Sequence, residues 1–152
     1  MGNGVRQAAL FNLYMDGLSL QLGGCKTGCM FGDIIINHFM YADDLTILSP
    51  SSSGFQQLLN ICTNYGFDFD INYNAKKSMV LICRTKEDLD LKFPSFYLSG
   101  QIMCVSKSVK YLGHIITDTL EDDDDMYRQR VKLLYKLTCW FVNVIIVLQM
   151  LR

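Results

Sequence analysis

The sequence predicts an α+β domain in which a small mixed or antiparallel β-sheet, containing one distinctive β-hairpin, packs on two or three helices. Half of the 152 residues are hydrophobic and 19% are charged, a composition typical of folded globular chains. Two segments carry apolar residues at helical spacing, and short β-rich runs bounded by turn residues lie between and after them. Strands and helices mixed in this order indicate layers around one core.

The first predicted element is a helix from Gln7 to Leu22. Its apolar residues recur at intervals of three, four and eight, as one face of a helix requires. They are Leu10, Leu13, Tyr14, Leu18 and Leu22. Gly23 and Gly24 then provide a stop signal.

A β-hairpin with an acidic turn is predicted next. The run Ile34-Ile35-Ile36 leads to Phe39-Met40, and a second β-rich run follows at Leu45-Thr46-Ile47-Leu48. Between them lies Tyr41-Ala42-Asp43-Asp44, a short polar tip flanked by apolar strands.

The later elements are a helix, a strand, a second hairpin and a further strand. Turn and capping residues at Pro50–Gly54 precede a helix that stops near Gly66, and its buried residues are predicted to be Phe55, Leu58, Leu59, Cys62 and Tyr65. Met79–Cys83 is a continuously apolar strand, and the second hairpin turns at Ser99-Gly100. The last predicted strand, Val109–Ile116, is interrupted by Gly113.

Two adjacent carboxylates at a rigid hairpin tip indicate metal-dependent phosphoryl transfer. Such chemistry uses divalent metals that stabilise the attacking and leaving oxygens, and magnesium prefers oxygen ligands. The alternative is structural, because aspartate favours turns through local hydrogen bonds. The apolar β-runs on both sides of Asp43 and Asp44 favour the metal interpretation.

The charge and cysteine content exclude some other classes. A formal net charge of −1 argues against a free-standing nucleic-acid binder with a basic face. The six cysteines lack a paired spacing, so reduced thiols and an intracellular location, nuclear or cytoplasmic, are expected. Cys25, Cys29 and His38 lack the fourth ligand and second close pair of a zinc site.

The segment Phe39–Leu45 resembles the Tyr-x-Asp-Asp box of reverse transcriptases. Residues 1–133 are similar to the palm region of non-LTR (LINE-type) retrotransposon polymerases, and further landmarks follow in the expected order. Gly4-Val5-Arg6-Gln7 resembles a segment that contacts template and nucleotide, and Asn74-Ala75-Lys76-Lys77-Ser78 resembles a lysine-bearing motif. Tyr111–Ile116 resembles the Leu-Gly hairpin called the primer grip.

The resemblance implies an RNA-directed DNA polymerase with a partial palm fold. Asp43 and Asp44 would be catalytic and would bind Mg²⁺ or Mn²⁺, and Lys77 would act as a catalytic cation near the triphosphate. The implied partners are an RNA template, a DNA primer and a deoxynucleoside triphosphate, and no membrane is expected.

The resemblance also implies four nucleotide or template contacts and a primer contact. The first set consists of Arg6, Gln7, Tyr41 and Ala42. The primer-grip-like residues are Leu112 and Gly113.

Two departures from the family predict that this chain is incomplete for polymerisation. The family's other metal-binding aspartate lies on a strand upstream of the position of Gly4, and the fingers and thumb regions are missing. In addition, Gln7-Ala8-Ala9-Leu10 replaces a Gly-Gly turn and a Ser-Pro step, so loop and helix are expected to fuse into one longer helix.

Residues 134–152 form an apolar tail beyond the likeness to the palm. The tail is shorter than the ~20 residues that span a bilayer. One hypothesis is that a frameshift produced it from a thumb-helix sequence; the alternative is an ordinary buried helix or strand. For the whole chain, the alternatives to a polymerase fragment are an inert retrotransposon remnant and a weak nucleic-acid-binding module using Lys76, Lys77, Arg84 and Lys86.

Overall fold

A computed structural model describes residues 3–41, 44–83, 92–112, 114–119 and 144–149. Within these ranges the chain is a mixture of two helices and short, mostly antiparallel strands, which confirms the predicted α+β class. The elements are α1 (Asn3–Gly24), β1 (Cys29–Phe31), β2 (Ile34–Ile36), β3 (His38–Tyr41), β4 (Asp44–Ser49), α2 (Ser52–Asp68), β5 (Met79–Ile82), β6 (Tyr97–Leu98), β7 (Gln101–Ile102), β8 (Cys104–Ser106), β9 (Ser108–Tyr111), β10 (His114–Thr117) and β11 (Val144–Gln149).

Helix α1 is one continuous helix of 22 residues. It includes Gln7-Ala8-Ala9-Leu10, which confirms that loop and helix fuse, and it ends at Gly24 as expected. The buried side chains of its described second half are Met15, Leu18 and Leu22. The prediction is therefore confirmed at Leu18 and Leu22. It is wrong at Leu13 and Tyr14, which are 68% and 55% exposed, because Met15 occupies the buried face at that turn of the helix.

The central sheet has five strands in the order β3-β4-β11-β5-β8. Neighbouring strands are antiparallel except for β5 and β8, which are parallel. One face of this sheet packs on both helices through the largest core cluster. The strand residues of that cluster are Leu45, Ile47, Val80 and Ile82.

Helix α2 packs on β4 of the central sheet and on β6. Ser51 caps its first turn, with the Gly54 amide donating to Ser51 Oγ at 3.2 Å. The predicted buried face is confirmed, because Phe55, Leu58, Leu59, Cys62 and Tyr65 are all buried. Near its end the backbone approaches the following loop closely: a Cβ added at Gly66 would lie 2.7 Å from the carbonyl oxygen of Ile71.

The hairpin β6–β7 forms around Ser99 and Gly100, as predicted. Both turn residues have positive φ angles, 50° and 75°, which suits the tight turns of two-residue hairpins. The side chain of Gln56 holds this hairpin on α2, because its amide group donates to Tyr97 O and accepts from Tyr97 N, both at 2.9 Å.

The predicted single strand Val109–Ile116 is wrong, because this segment is the hairpin β9–β10. Tyr111 pairs with His114, so the chain reverses at Leu112 and Gly113 instead of continuing as one interrupted strand. Leu112 has a φ of 48°, and Gly113 lies outside the described residues. Val109 packs on Leu81 and Cys83, away from the helical core.

The described part of the apolar tail is a strand, β11, in the middle of the sheet. Ile146 pairs with Ile47 on one side and with Val80 on the other. A strand was one of the two interpretations of the tail; its origin by frameshift remains a hypothesis about the coding DNA. Within the described residues, no helix has the length and apolar character needed to cross a membrane.

Candidate active site

The acidic hairpin lies at one end of the central sheet. Its strands pair from His38↔Ile47 to Tyr41↔Asp44, which leaves Ala42 and Asp43 as a two-residue turn. Those two residues lie outside the described ranges, so the structure places the turn but not their side chains. Asp44 begins β4 and is half-buried, whereas its partner Tyr41 is 61% exposed. An exposed aromatic ring therefore stands beside a carboxylate at an accessible sheet end.

The strands that carry this turn are held firmly. Leu45 and Ile47 of β4 are completely buried against the helices. At the base of the hairpin, the buried Asn37 amide group donates to Leu22 O at 2.6 Å and to Thr27 O at 2.9 Å. These bonds tie the end of α1 to the start of β3, which limits the freedom of the turn at the far end.

His38 extends the same network. Its Nδ1–H donates to Asn37 Oδ1 at 2.7 Å, and Ser19 Oγ donates to its Nε2 at 2.8 Å. This assignment follows from the Asn37 amide, whose nitrogen is already donating to carbonyls. Burial lowers the pKa of His38, which favours the neutral ring that this pattern requires.

Lys77 lies at the same end of the sheet as Asp44. Strands β4 and β5 are both antiparallel to β11, so they run parallel to each other and begin at the same edge. Lys77 is exposed and precedes β5 by two residues. A turn fixes its backbone: the Lys77 and Ser78 amides donate to Asn74 O at 3.0 and 2.9 Å, and Ser78 Oγ does so at 2.9 Å.

Strand β11 separates Asp44 from Lys77. Two strand spacings place β4 and β5 about 9–10 Å apart. In the register of β11, Gln149 is the residue opposite Asp44, so the strand next to this carboxylate carries an amide residue at that position.

The described residues do not form a complete metal site. No group of three His, Cys, Asp or Glu side chains that could hold a metal ion occurs among them. A magnesium ion requires near-octahedral oxygen coordination, and Asp44 has Tyr41 and Gln149 as its neighbours along the ladder. Cys25, Cys29 and His38 all lie within the described residues and are not part of any such group there.

The remaining predicted site residues lie on other elements. Arg6 and Gln7 are in the first turns of α1, roughly 20 Å along the helix axis from Ser19, and the description does not include their side chains. Leu112, at the tip of β9–β10, is 48% exposed, and its hairpin packs against β5. Asp16, in the Tyr14-Met15-Asp16-Gly17 sequence that mimics the acidic box, is an exposed residue of α1.

Sequence reasoning missed two features of this site. The hydrogen-bond network of Ser19, His38 and Asn37 has no signature in the apolar periodicity. The signal that could have indicated it is the polar pair Asn37-His38 between two apolar β-runs. The position of Gln149 opposite Asp44 depends on pairing between strands that are distant in sequence, and no local pattern reports it.

A helix-covered sheet with an acidic hairpin turn at one end is an α+β arrangement suited to nucleotidyl-transfer chemistry. The model of the family described as reverse transcriptase (RNA-dependent DNA polymerase) matches residues 5–116. This match covers well over half of the chain, so the chain belongs to that family. Members generally use divalent metals and act on a nucleic-acid template with deoxynucleoside triphosphates. Searches of curated proteins and of solved structures each gave no match.

Proposed function

We propose that this chain is a palm fragment of a non-LTR (LINE-type) retrotransposon polymerase and that it is incomplete for polymerisation. The observation that carries the proposal is the acidic box at a two-residue hairpin turn, inside a family match that also spans the Lys77 turn and the β9–β10 hairpin. In the parent enzyme this turn would serve RNA-directed DNA synthesis.

Each residue at this sheet end has a chemical role in the proposal. In the parent enzyme, Asp43 and Asp44 would supply carboxylate oxygens for Mg²⁺ or Mn²⁺, and the bound metal would stabilise the attacking and leaving oxygens of phosphoryl transfer. Lys77 neutralises phosphate charge from the same edge of the sheet. Tyr41 presents an exposed ring to the nucleic acid.

The strand beside Asp44 supports the proposed incompleteness. A two-metal site needs carboxylates converging from more than one strand, and the neighbouring strand presents Gln149 at the nearest register position. Template-primer extension with Mg²⁺ or Mn²⁺ tests this point. We expect no incorporation by the chain on an RNA template with a DNA primer.

Incorporation that disappears in Asp43→Ala and Asp44→Ala but persists in Asp33→Ala would overturn the incompleteness. Asp33 is a matched control because it is an exposed acid in the turn of another hairpin, β1–β2. Incorporation by all of these variants would indicate a contaminating polymerase.

The ancestry is tested by sequencing the coding DNA with its flanks. We expect an upstream frame that encodes an acid-bearing strand and a one-base change near Leu133 that restores a thumb helix. A longer chain built from that restored frame should extend a primer, and Asp43→Ala should abolish the extension. Unrelated flanks and an unbroken frame would contradict the proposal.

A second candidate function is weak nucleic-acid binding without catalysis. It is favoured by two exposed lysines, Lys76 and Lys77, at the sheet end that also bears Tyr41. Mobility shifts with a template-primer duplex at rising salt would show a steep loss of affinity. The double variant Lys76→Ala/Lys77→Ala should weaken the shift, while Lys26→Ala, an exposed lysine after α1, should not. If no mobility shift occurs even at low salt, the chain does not bind nucleic acid, and the inert retrotransposon remnant is the interpretation that remains.

A further inference from the structure

Strand β11 fills a gap between two strands that belong together in sequence. Strands β4 and β5 are joined through α2 and run parallel, but they are not hydrogen-bonded neighbours. The unit β4-α2-β5 is thus a split βαβ unit with room for one strand. Strands β4 and β5 are the two walls of this gap. Because they lie two strand spacings apart, about 9–10 Å, their backbones are too far apart to form hydrogen bonds with each other.

The walls of this gap cannot stay unpaired at low cost. All six residues of β4 and all four of β5 pair with β11. The wall residues Leu45, Ile47 and Val80 are completely buried, so an empty gap would leave backbone N–H and C=O groups without partners in an apolar environment. The gap must therefore be filled by a strand or closed by movement of one wall.

The strand that fills the gap is distant in sequence from both walls. Residues 120–143, outside the described ranges, separate it from Thr119, so no short hairpin turn joins it to β4 or β5. What holds β11 is its sequence, Val-Ile-Ile-Val-Leu-Gln, which is rich in β-branched residues, and its two hydrogen-bonded ladders. The same six residues could bind in the same way without the covalent connection.

We propose that the gap between β4 and β5 is a strand-acceptor site for an extended aliphatic segment running antiparallel to both walls, with Val144–Gln149 as its exchangeable occupant. Recognition uses main-chain hydrogen bonds on both edges of the incoming strand, a two-sided form of strand addition to a sheet. Because Gln149 stands opposite Asp44, exchange of the occupant changes the residue beside that carboxylate; this consequence alone rests on the proposed function.

Uptake of a labelled peptide by the full chain tests the site. The probe is a fluorescent peptide of residues 142–152 with a lysine tag for solubility. Ile146→Pro in the full chain should displace the resident strand, because proline cannot donate to a central ladder. We expect this variant to bind the peptide saturably with one peptide per chain, at least tenfold more tightly than the unaltered chain.

Two controls keep the test decisive. Ile146→Ala keeps the backbone donor but removes apolar contact area, so its uptake should fall between the unaltered chain and Ile146→Pro, and it serves if the proline variant does not fold. A peptide that itself carries Ile146→Pro should not bind. Hydrogen exchange at Ile47 and Val80 should show faster exchange in the variants and renewed protection when the peptide is added.

Several results would overturn the proposal. One is a folded Ile146→Pro chain that takes up no peptide and retains slow exchange at Ile47, which would mean that β5 has closed directly on β4. Another is equal binding of the proline-bearing peptide, which would mean unspecific apolar adsorption. A dimer of the unaltered chain that the peptide dissociates would support the site, with a second copy donating the same strand. Polymerase assays do not enter this test, so its failure is distinguishable from failure of the proposed function.

Discussion

Individual polar side chains fix the position of the acidic hairpin β3–β4 and of the neighbouring turn before β5, because they form hydrogen bonds with the backbone of other segments. Asn37 ties the end of α1 to β3 by donating to Leu22 O and Thr27 O. The Asn74 side chain accepts at Oδ1 from the Lys77 amide at 3.3 Å and so helps to fix the turn before β5. Such residues add little to an apolar core, but the turn that bears Asp43 would be less rigidly placed without them.

The stability of the fold should depend on the protonation of His38. Burial lowers its pKa from the ordinary value of 6.5, so the unfolded chain binds this proton more tightly than the folded chain does. The contribution is therefore fully present above about pH 6.5 and is lost as the pH falls towards the folded-state pKa. Urea midpoints measured from pH 7.5 down to 5.5 should decrease, and His38→Gln should flatten this dependence. A midpoint constant across that range would contradict the prediction.

Replacement of Leu112 by asparagine should stabilise the chain. Leu112 has a φ of 48°, a left-handed conformation that costs a leucine about 1 kcal/mol more than an asparagine, which adopts it readily. We expect Leu112→Asn to raise the free energy of unfolding by about that amount in urea denaturation.

The control for this variant is Leu20→Asn. Leu20 is also strongly exposed, at 77%, but lies in regular helix, where asparagine is slightly unfavourable. A loss of stability in Leu112→Asn would instead show that contacts of the leucine side chain outweigh the backbone cost.

At the scale of the elements, the close approach at the end of α2 gives a sharp test of the packing. A Cβ at Gly66 would lie 2.7 Å from the backbone oxygen of Ile71, which cannot rotate away as a side chain can. We expect Gly66→Ala to lower the free energy of unfolding by about 1–3 kcal/mol, despite the better helix propensity of alanine.

Gly23→Ala is the matched control in the other helix. No atom lies within 4 Å of a Cβ added at Gly23, so this variant should be neutral or gain up to about 1 kcal/mol. Equal effects of the two substitutions in urea denaturation would show that the contact at Gly66 relaxes without cost.

The pairing of β4 with β11 predicts that one substitution improves metal binding. Gln149→Asp would place a second carboxylate opposite Asp44, where directly paired residues have Cβ atoms about 4.5–5.5 Å apart. We expect at least tenfold tighter Mn²⁺ binding by titration calorimetry, and lower stability without metal because like charges then face each other. Gln149→Asn should leave both quantities unchanged. An unchanged Mn²⁺ affinity of Gln149→Asp would contradict the pairing of residue 149 with Asp44 or the role of Asp44 in metal binding.

For the whole molecule, the sequence predicts those helices and hairpins that depend on residues close together in the chain. Helical spacing gives both helices and the buried face of α2, and β-rich runs on both sides of a polar tip give the β3–β4 hairpin with Asp44 at its end. The run Ile34-Ile35-Ile36, predicted to lead into that hairpin, instead pairs with β1 in a separate hairpin. The predicted face of α1 is confirmed at Leu18 and Leu22 but not at Leu13, because an apolar residue can fit the helical spacing without being buried.

The rest could not be read from local patterns, because it depends on pairing between distant segments. An apolar run such as Val144–Leu148 fits a helix or a strand equally well, and only its partners, β4 and β5, decide between them. The local pattern gave one strand from Val109 to Ile116, since leucine gives no signal for a positive φ. The resemblance of Tyr111–Ile116 to a Leu-Gly hairpin, by contrast, agrees with the observed reversal.

The central position of β11 also determines when the sheet can close during synthesis. Every other described element is translated before Val144, and β4 is complete once Ser49 has been added. At roughly 5–20 residues per second, β4 waits about 5–20 seconds for its partner to be made. Once β5 has also been made, the nascent chain exposes the two β-edges that β11 will later join, so binding of a chaperone at this stage should raise its yield.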